Sequence, residues 1–427
     1  MTKNSYATKC FLILFSLMAP RLCSAEMPPQ TVDRTTLTGK VMCGYQGWFA
    51  CPDDGLGRGW YHWGRGSKFD PDHCTIDLWP DVSELDTDEK HVTAFVHKDE
   101  KPACVFSSQN PKTVDRHFLW MQQYGIDGAF VQRFASEVTA GPLQYRQFTT
   151  VLENANRGAN AHGRTYALMY DLSGMQQGQL YKVQNDLNQL LEEQVILGDD
   201  DEAYLYHHGK PVVSVWGIGF SDNRPYTLEE CAVLVEFLKT HPKSPGGNGF
   251  TVMLGVPTYW REMKWDAIND PKLHEIIQNA DIISPWSVGR YANIRTMKKL
   301  AESVWADDLA WCKEAGKEYL PVVFPGFSWH NLKPDRPLDE IPRQGGRFLW
   351  AQYRAVEKIG ATMVYQAMFD EVDEGTAIFK CTNDPPVNGT FLTYKGLPSD
   401  HYLWLTGMGG RLIRKEIEPD EELPQRK

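Results

Sequence analysis

Apolar positions along this chain fall into eight short, nearly continuous runs, each ending in aromatic or polar residues. They are Lys40–Phe49, Gly125–Phe134, Thr165–Gly174, Lys210–Phe220, Phe250–Trp260, Ile282–Tyr291, Tyr319–Trp329 and Ala361–Phe369. Unbroken apolar character over such lengths predicts strands buried on both faces, as in a parallel sheet. Between most of them the period changes to that of a helix. Val114, Phe118 and Met121 stand at i, i+4, i+7 behind a candidate cap at Thr113, and Leu180, Val183, Leu187, Leu190 and Leu191 repeat the spacing. Leu228–Lys239, Met297–Ala315 and Phe348–Ile359 read likewise, and Gly125, Gly316 and Gly360 close helices just before a strand. Strand and helix alternating in this way predict the α/β class and a (β/α)8 TIM barrel with long βα loops. A doubly wound sheet competes, but no Gly-x-Gly-x-x-Gly opens a helix after the first strand.

The connections carry further information. Ala50–Gln109 is the longest strand-poor stretch, rich in Asp and Gly and holding Trp60, Trp63 and Trp79. In a barrel it is the first βα loop, on the face where active sites form. Tyr402, Trp404 and Leu405 predict a helix or strap packed on the barrel, and the charged residues 416–427 a frayed end. At the other terminus Lys3 and Lys9 precede the apolar run Cys10–Pro20, followed by Leu22-Cys23-Ser24-Ala25. That order predicts a secretory signal over residues 1–25, cleaved after Ala25, with a lipoprotein signal acylated at Cys23 as the weaker reading. One domain over 26–415 then remains, secreted or periplasmic, with no integral membrane segment. Loss of Lys3, Lys9 and Arg21 takes the net charge from −11 to −14. An acidic surface excludes a nucleic-acid partner, which needs a basic face. Export permits disulfides, and Cys43, Cys51, Cys74 and Cys104 lie close enough in sequence to form one or two.

Candidate chemistry concentrates after the eighth run, where Asp370, Glu371, Asp373 and Glu374 crowd four carboxylates together. At the C-terminal mouth of a barrel strand such crowding separates pKa values, as an acid/base pair requires. Its bland alternative is a solvated acidic turn; a calcium loop would need the Asp-x-Asp-x-Asp-Gly pattern, which is absent. Trp48, Phe134, Trp216, Trp260, Trp286 and Trp329 also fall at or near strand ends, whereas Trp120, Trp311 and Trp350 fall on helices and read as core. Flat apolar faces beside carboxylates predict a carbohydrate cleft, with Arg133, Asp171, Tyr259, Arg290 and His330 near the same ends as hydroxyl ligands. No Gly-x-Ser-x-Gly elbow, P-loop or His-Glu-x-x-His is present. His207-His208 has no partner ligand nearby in sequence, so neither metal nor cofactor is expected.

At this point the sequence resembles the endo-α-mannosidases of glycoside hydrolase family 99 and the wider 71/99-like group. Asp370-Glu371-Val372-Asp373-Glu374-Gly375-Thr376 is similar to that family's Asn-Glu-Trp-His-Glu-Gly-Thr signature. Tyr124-Gly125-Ile126-Asp127-Gly128-Ala129-Phe130 resembles its Gly-(Val/Ile)-Asp-Gly second strand, and Gly44-Tyr45-Gln46-Gly47-Trp48-Phe49 its aromatic first strand. The resemblance implies a (β/α)8 glycoside hydrolase, endo-acting and retaining by way of a 1,2-anhydro sugar. Glu371 would be the base on the sugar 2-hydroxyl and Glu374 the general acid/base, neither being a covalent nucleophile. Tyr45, Trp48 and Asp370 join the substrate-binding set by position. Asp370 replaces Asn, Val372-Asp373 replaces Trp-His, and Val131-Gln132-Arg133-Phe134 departs from the family's His-Tyr-Trp, so the reaction class transfers better than the sugar. Arg133 and Arg290 would favour a sulfated or carboxylated glycan. The alternative is a carbohydrate-binding barrel without catalysis, which keeps the aromatics and needs no paired glutamates.

Overall fold

A computed structural model describes Met1 and residues 31–426. Residues 2–25 of the expected leader lie outside the described residues. The strands are β1 Val41–Tyr45, β2 His91–Val96, β3 Pro102–Val105, β4 Gly128–Phe134, β5 Thr165–Asp171 and β6 Tyr206–His207. They continue with β7 Lys210–Trp216, β8 Thr251–Pro257, β9 Ile282–Trp286, β10 Glu318–Tyr319, β11 Val322–Val323 and β12 Val364–Gln366. The helices are α1 Pro111–Tyr124, α2 Ala135–Val138, α3 Pro142–His162, α4 Tyr181–Glu192 and α5 Leu228–Lys239. After them come α6 Lys272–Asn279, α7 Ile294–Leu300, α8 Ala306–Glu314, α9 Arg347–Ile359 and α10 His401–Ile413.

Parallel pairing runs in the order β10-β9-β8-β7-β5-β4-β1-β12-β11. The first half of the seventh strand, β10, pairs with β9, and its second half, β11, pairs with β12, which closes the cylinder. Every one of the eight apolar runs contains a barrel strand, and the molecule is the expected (β/α)8 barrel. Strand β5 and strand β8 are buried at every residue, as strands sandwiched between a lumen and a helical layer must be. Two glycines are dictated by close approach. A Cβ on Gly44 would stand 2.1 Å from the Tyr365 hydroxyl inside the lumen, and one on Gly128 would meet the Thr165 carbonyl at 1.8 Å.

Several boundaries differ from the sequence-based expectation. Asn110, not Thr113, caps α1, because its side chain accepts from Lys112 N while Thr113 is buried one turn further on. The stretch 50–109 holds the β2–β3 hairpin, whose first strand alternates buried and exposed residues. Trp63 and Trp79 are core there, in a ring cluster with Phe69 and Phe95. The strap at 401–413 is helix α10, drawn against α1 until Gly407 has no room for a Cβ beside the Tyr124 carbonyl. Beyond it Trp350 Nε1 donates to Asp420 O at 3.0 Å, and Arg426 forks onto Asp400 at 2.5 and 2.6 Å. All seven cysteines of the described residues are free thiols. Cys51 donates to Phe106 O and Cys74 to Ile76 O, so the expected bridges do not form. Among the described residues no helix is long and apolar enough to cross a membrane.

Candidate active site

The C-terminal ends of β4, β5, β7, β9 and β12 surround a cavity of about 240 Å³. Gln46, Trp48, Gln132, Phe134, Asp171, Ser173, Trp216, Trp286, Glu371 and Glu374 line it. Strand parity decides this membership. Tyr365 points inward from β12, where its hydroxyl receives Gln132 Nε2 at 3.3 Å and lies 3.6 Å from the sulfurs of Met169 and Met368. Gln132 therefore faces the lumen, and the next residue, Arg133, faces the helices. There it forks onto Asp186 through Nε and Nη2, both at 2.6 Å.

Glu371 is held by two donors. Gln46 Nε2 reaches one carboxylate oxygen and Thr376 Oγ1 the other, each at 2.5 Å. The strand ends are clasped by Asp370, which accepts Gln46 N at 2.8 Å and Gly47 N at 2.9 Å. Asp373 accepts from His62 Nδ1 at 3.1 Å, and His62 stacks on Trp48 at 3.7 Å. Phe134 lies on Trp48 at 5.0 Å and makes no ring contact with His62, so the two rings take opposite faces of the indole. From the long first loop, Asp77 accepts Ser328 Oγ, His330 N and Asn331 N, while its own N–H donates to Val372 O. Three loops are thereby locked around the acidic turn.

Burial raises the carboxyls of Asp370, Glu371 and Glu374. It carries Asp370 to about 7 against the two backbone donors. Glu374 is also raised to about 7, by burial first and then by the charge of Asp373, with Lys333 opposing. Glu371 is pushed well above the usual carboxylate range by burial and by the charges of Glu374 and Asp373. Burial likewise raises Asp171, which receives Ser173 N at 2.7 Å. The two glutamates titrate as a pair. Two donors are placed to hold an anion on Glu371, whereas among the described residues no side chain donates to Glu374. The geometry thus offers neutral donors to a charged form of Glu371 and none to Glu374.

The expected residues divide three ways. Trp48, Asp171, Trp216, Trp286, Glu371 and Glu374 meet at the cavity. Asp370 stands behind it as the clasp. Tyr259, Arg290, Trp329 and His330 belong to the surrounding loops: Arg290 pairs with Asp266 at 2.6 Å, Trp329 Nε1 donates to Glu340, and His330 Nδ1 donates to Arg336 O. Three expectations are corrected. Tyr45 points outward to His117 at 2.8 Å, Arg133 is spent on Asp186, and Trp260 is fully buried with Nε1 on Asp308 at 3.2 Å. With Arg133 and Arg290 both paired, no cationic side chain lines the cavity among the described residues, which removes their argument for an anionic glycan. Gln46, Gln132, Ser173 and His62 were missed. Gln46 lies within the first-strand motif and Gln132 two residues past the second, but His62 comes from a loop that carries no local signal.

At the opposite end of the barrel His207, His208 and Glu318 come together. His207 Nδ1 accepts Leu37 N at 3.0 Å, so its proton sits on Nε2 and is directed at Glu318. A metal ion would require that nitrogen bare, and the arrangement reads as a structural clasp.

No family model matches the chain. A glycoprotein endo-alpha-1,2-mannosidase-like protein of Danio rerio is 26% identical over 114 residues, which is 27% of this chain. The chain spans about a quarter (26%) of the length of that curated relative. Two structures of the family 99 endo-alpha-mannosidase from Bacteroides thetaiotaomicron superpose with TM-scores of 0.63 and 0.62 at 18% identity, covering 89% of this chain and 99% of theirs. A glycoside hydrolase-like protein superposes at 0.50 with 14% identity, covering 78% of this chain and 94% of its own. In fold, and in the strand-end motifs quoted above, this chain is similar to the endo-α-mannosidases of glycoside hydrolase family 99.

Proposed function

We propose that this protein is a glycoside hydrolase that cleaves within a neutral, α-linked glycan. The observation that carries the reading is the placing of Glu371 and Glu374 on one aromatic-walled cavity at the barrel mouth. Gln46 and Thr376 hold Glu371 as the base toward a sugar 2-hydroxyl. The freed oxygen attacks the anomeric carbon while Glu374 passes its proton to the departing glycosidic oxygen. A 1,2-anhydro sugar results. Glu374, now an anion, takes a proton from water; the water oxygen opens the three-membered ring and O2 recovers its proton from Glu371. Two inversions at the anomeric carbon give retention. No cationic side chain lines the cavity among the described residues, so nothing there pairs with a carboxylate or sulfate, which favours uncharged sugars.

Export completes the proposal, since the order of residues 1–25 suits a secretory signal. N-terminal sequencing of the mature chain checks it, a start at Glu26 being the expected result. The activity is tested by reducing-end release from a panel of neutral α-mannan, neutral α-glucan, uronate and sulfated polymers, with Glu374→Gln alongside. Release from a neutral polymer that the substitution abolishes supports the reading. Binding without release, equal in both proteins, would replace it with a carbohydrate-binding barrel.

A further inference from the structure

Trp265 is the most exposed large apolar side chain of residues 31–426, at 77%. It also adopts φ +58°, a left-handed conformation that a bulky residue takes only under strain. A solvated indole on a strained backbone costs stability twice over, and its surroundings are built to keep it there. The Trp265 carbonyl accepts Ser221 Oγ at 2.9 Å, and the Asp266 carbonyl accepts Ser221 N at 2.9 Å. The Asp266 carboxylate accepts Thr258 N, Tyr259 N and Arg290 Nε at 3.1, 3.1 and 2.6 Å. One turn is thus fastened to the loops that leave β7, β8 and β9, all on the mouth of the barrel. The same turn reaches the cavity through Thr258, whose Oγ1 donates at 2.5 Å to the carbonyl of Trp286, a cavity wall. Tyr259 lies 6.3 Å from the Trp265 ring.

We propose that Trp265 is a remote sugar-binding platform, a subsite on which a pyranose ring of a polymeric substrate stacks several units away from the bond being cleaved. This rests on the glycoside hydrolase reading. A ring face left in water beside a carbohydrate cavity gains most from an apolar C–H face of the same chain, and a rigid turn lets it do so with little ordering cost. Its contribution is to substrate capture and not to chemistry, so it is felt by long substrates alone.

The test compares Trp265→Gly, Trp265→Asn and Trp265→Tyr with the wild type on α-mannan and on an aryl α-mannobioside. Gly and Asn accept the left-handed backbone, so both variants are expected to melt at or above the wild-type temperature. Their KM for α-mannan is expected to rise about tenfold, the worth of one aromatic contact, with kcat and the aryl substrate unchanged. Trp265→Tyr is expected to restore most of the affinity. An unchanged polymer KM in an active enzyme overturns the proposal and leaves the hydrolase reading standing. So does a wild-type dimer in sedimentation that Trp265→Asn dissociates, which would make the ring a contact between copies. A wild type inactive on every polymer takes both readings down together.

Discussion

Buried carboxylates stand at both ends of this barrel, and their surroundings differ. At the base, Asp127 accepts Val41 N at 2.8 Å and Arg414 Nη1 at 3.2 Å, with Lys40 and Arg164 adding positive charge nearby. At the mouth, Asp370, Glu371, Asp373 and Glu374 crowd together, and the nearest compensation is a histidine on Asp373 and the more distant Lys333. Burial raises the carboxyl in both places. At the base the cations offset that cost and the group fastens β1, β4 and α10 together. At the mouth it is left largely unopposed, which costs stability and yields protonated acids near neutral pH. The cation-paired carboxylate at the base is architecture; the two glutamates that face the cavity without a cation are the candidates for chemistry.

The sharpest way to break this contrast is to neutralise each end. Glu371→Gln or Glu374→Gln should lower the hydrolysis rate by roughly 10² to 10⁴, with melting unchanged or higher because a buried ionisable group with no cation beside it has been removed. Asp127→Ala should do the reverse. It leaves Arg414 and Val41 N without their partner and should cost about 3–5 kcal/mol in denaturant unfolding, while the rate per folded molecule stays near wild type. If Asp127→Ala abolished activity at full stability, the division between the two ends would be wrong.

Gln46→Leu tests a finer point. Removing one donor from the Glu371 anion should cost about 1.5–3 kcal/mol, read as a ten- to hundredfold fall in kcat with little change in melting. The smallest effect is in pH. Asp370 and Glu374 lie near 7 in the fold, whereas an unfolded carboxyl titrates at about 4. Between those values the native state holds more protons than the unfolded chain. Their share of the stability is therefore full below about pH 4 and lost as pH rises through 7. Melting profiles should show a shallower decline over that window in Glu374→Gln than in the wild type. Activity should fall on the alkaline side of about 7, where Glu374 no longer carries the proton it donates.

Much of this was legible in the residues. The eight apolar runs located the barrel strands because a strand buried on both faces must be apolar throughout, and α5 spans the same residues, Leu228–Lys239, that its periodicity marked. The hairpin strand His91–Val96 was equally legible by its alternation but was submerged in a long polar loop. The acidic turn announced itself by composition. Arg133 and Gln132 show where such reading stops. Period two puts them on opposite faces, but with both faces buried, hydrophobicity cannot tell the lumen from the helical layer.

What the sequence by itself determined is the kind and order of the elements and the chemistry at the end of the last strand, since both are local and written in neighbouring residues. Only the tertiary structure decided which side chains turn into the lumen, that Gln46 and His62 arrive from other segments to hold Glu371 and Asp373, and that Arg133, Arg290 and Trp260 are already engaged elsewhere. Those outcomes depend on barrel closure and on the alternation of strand faces around it, which bring together residues hundreds of positions apart.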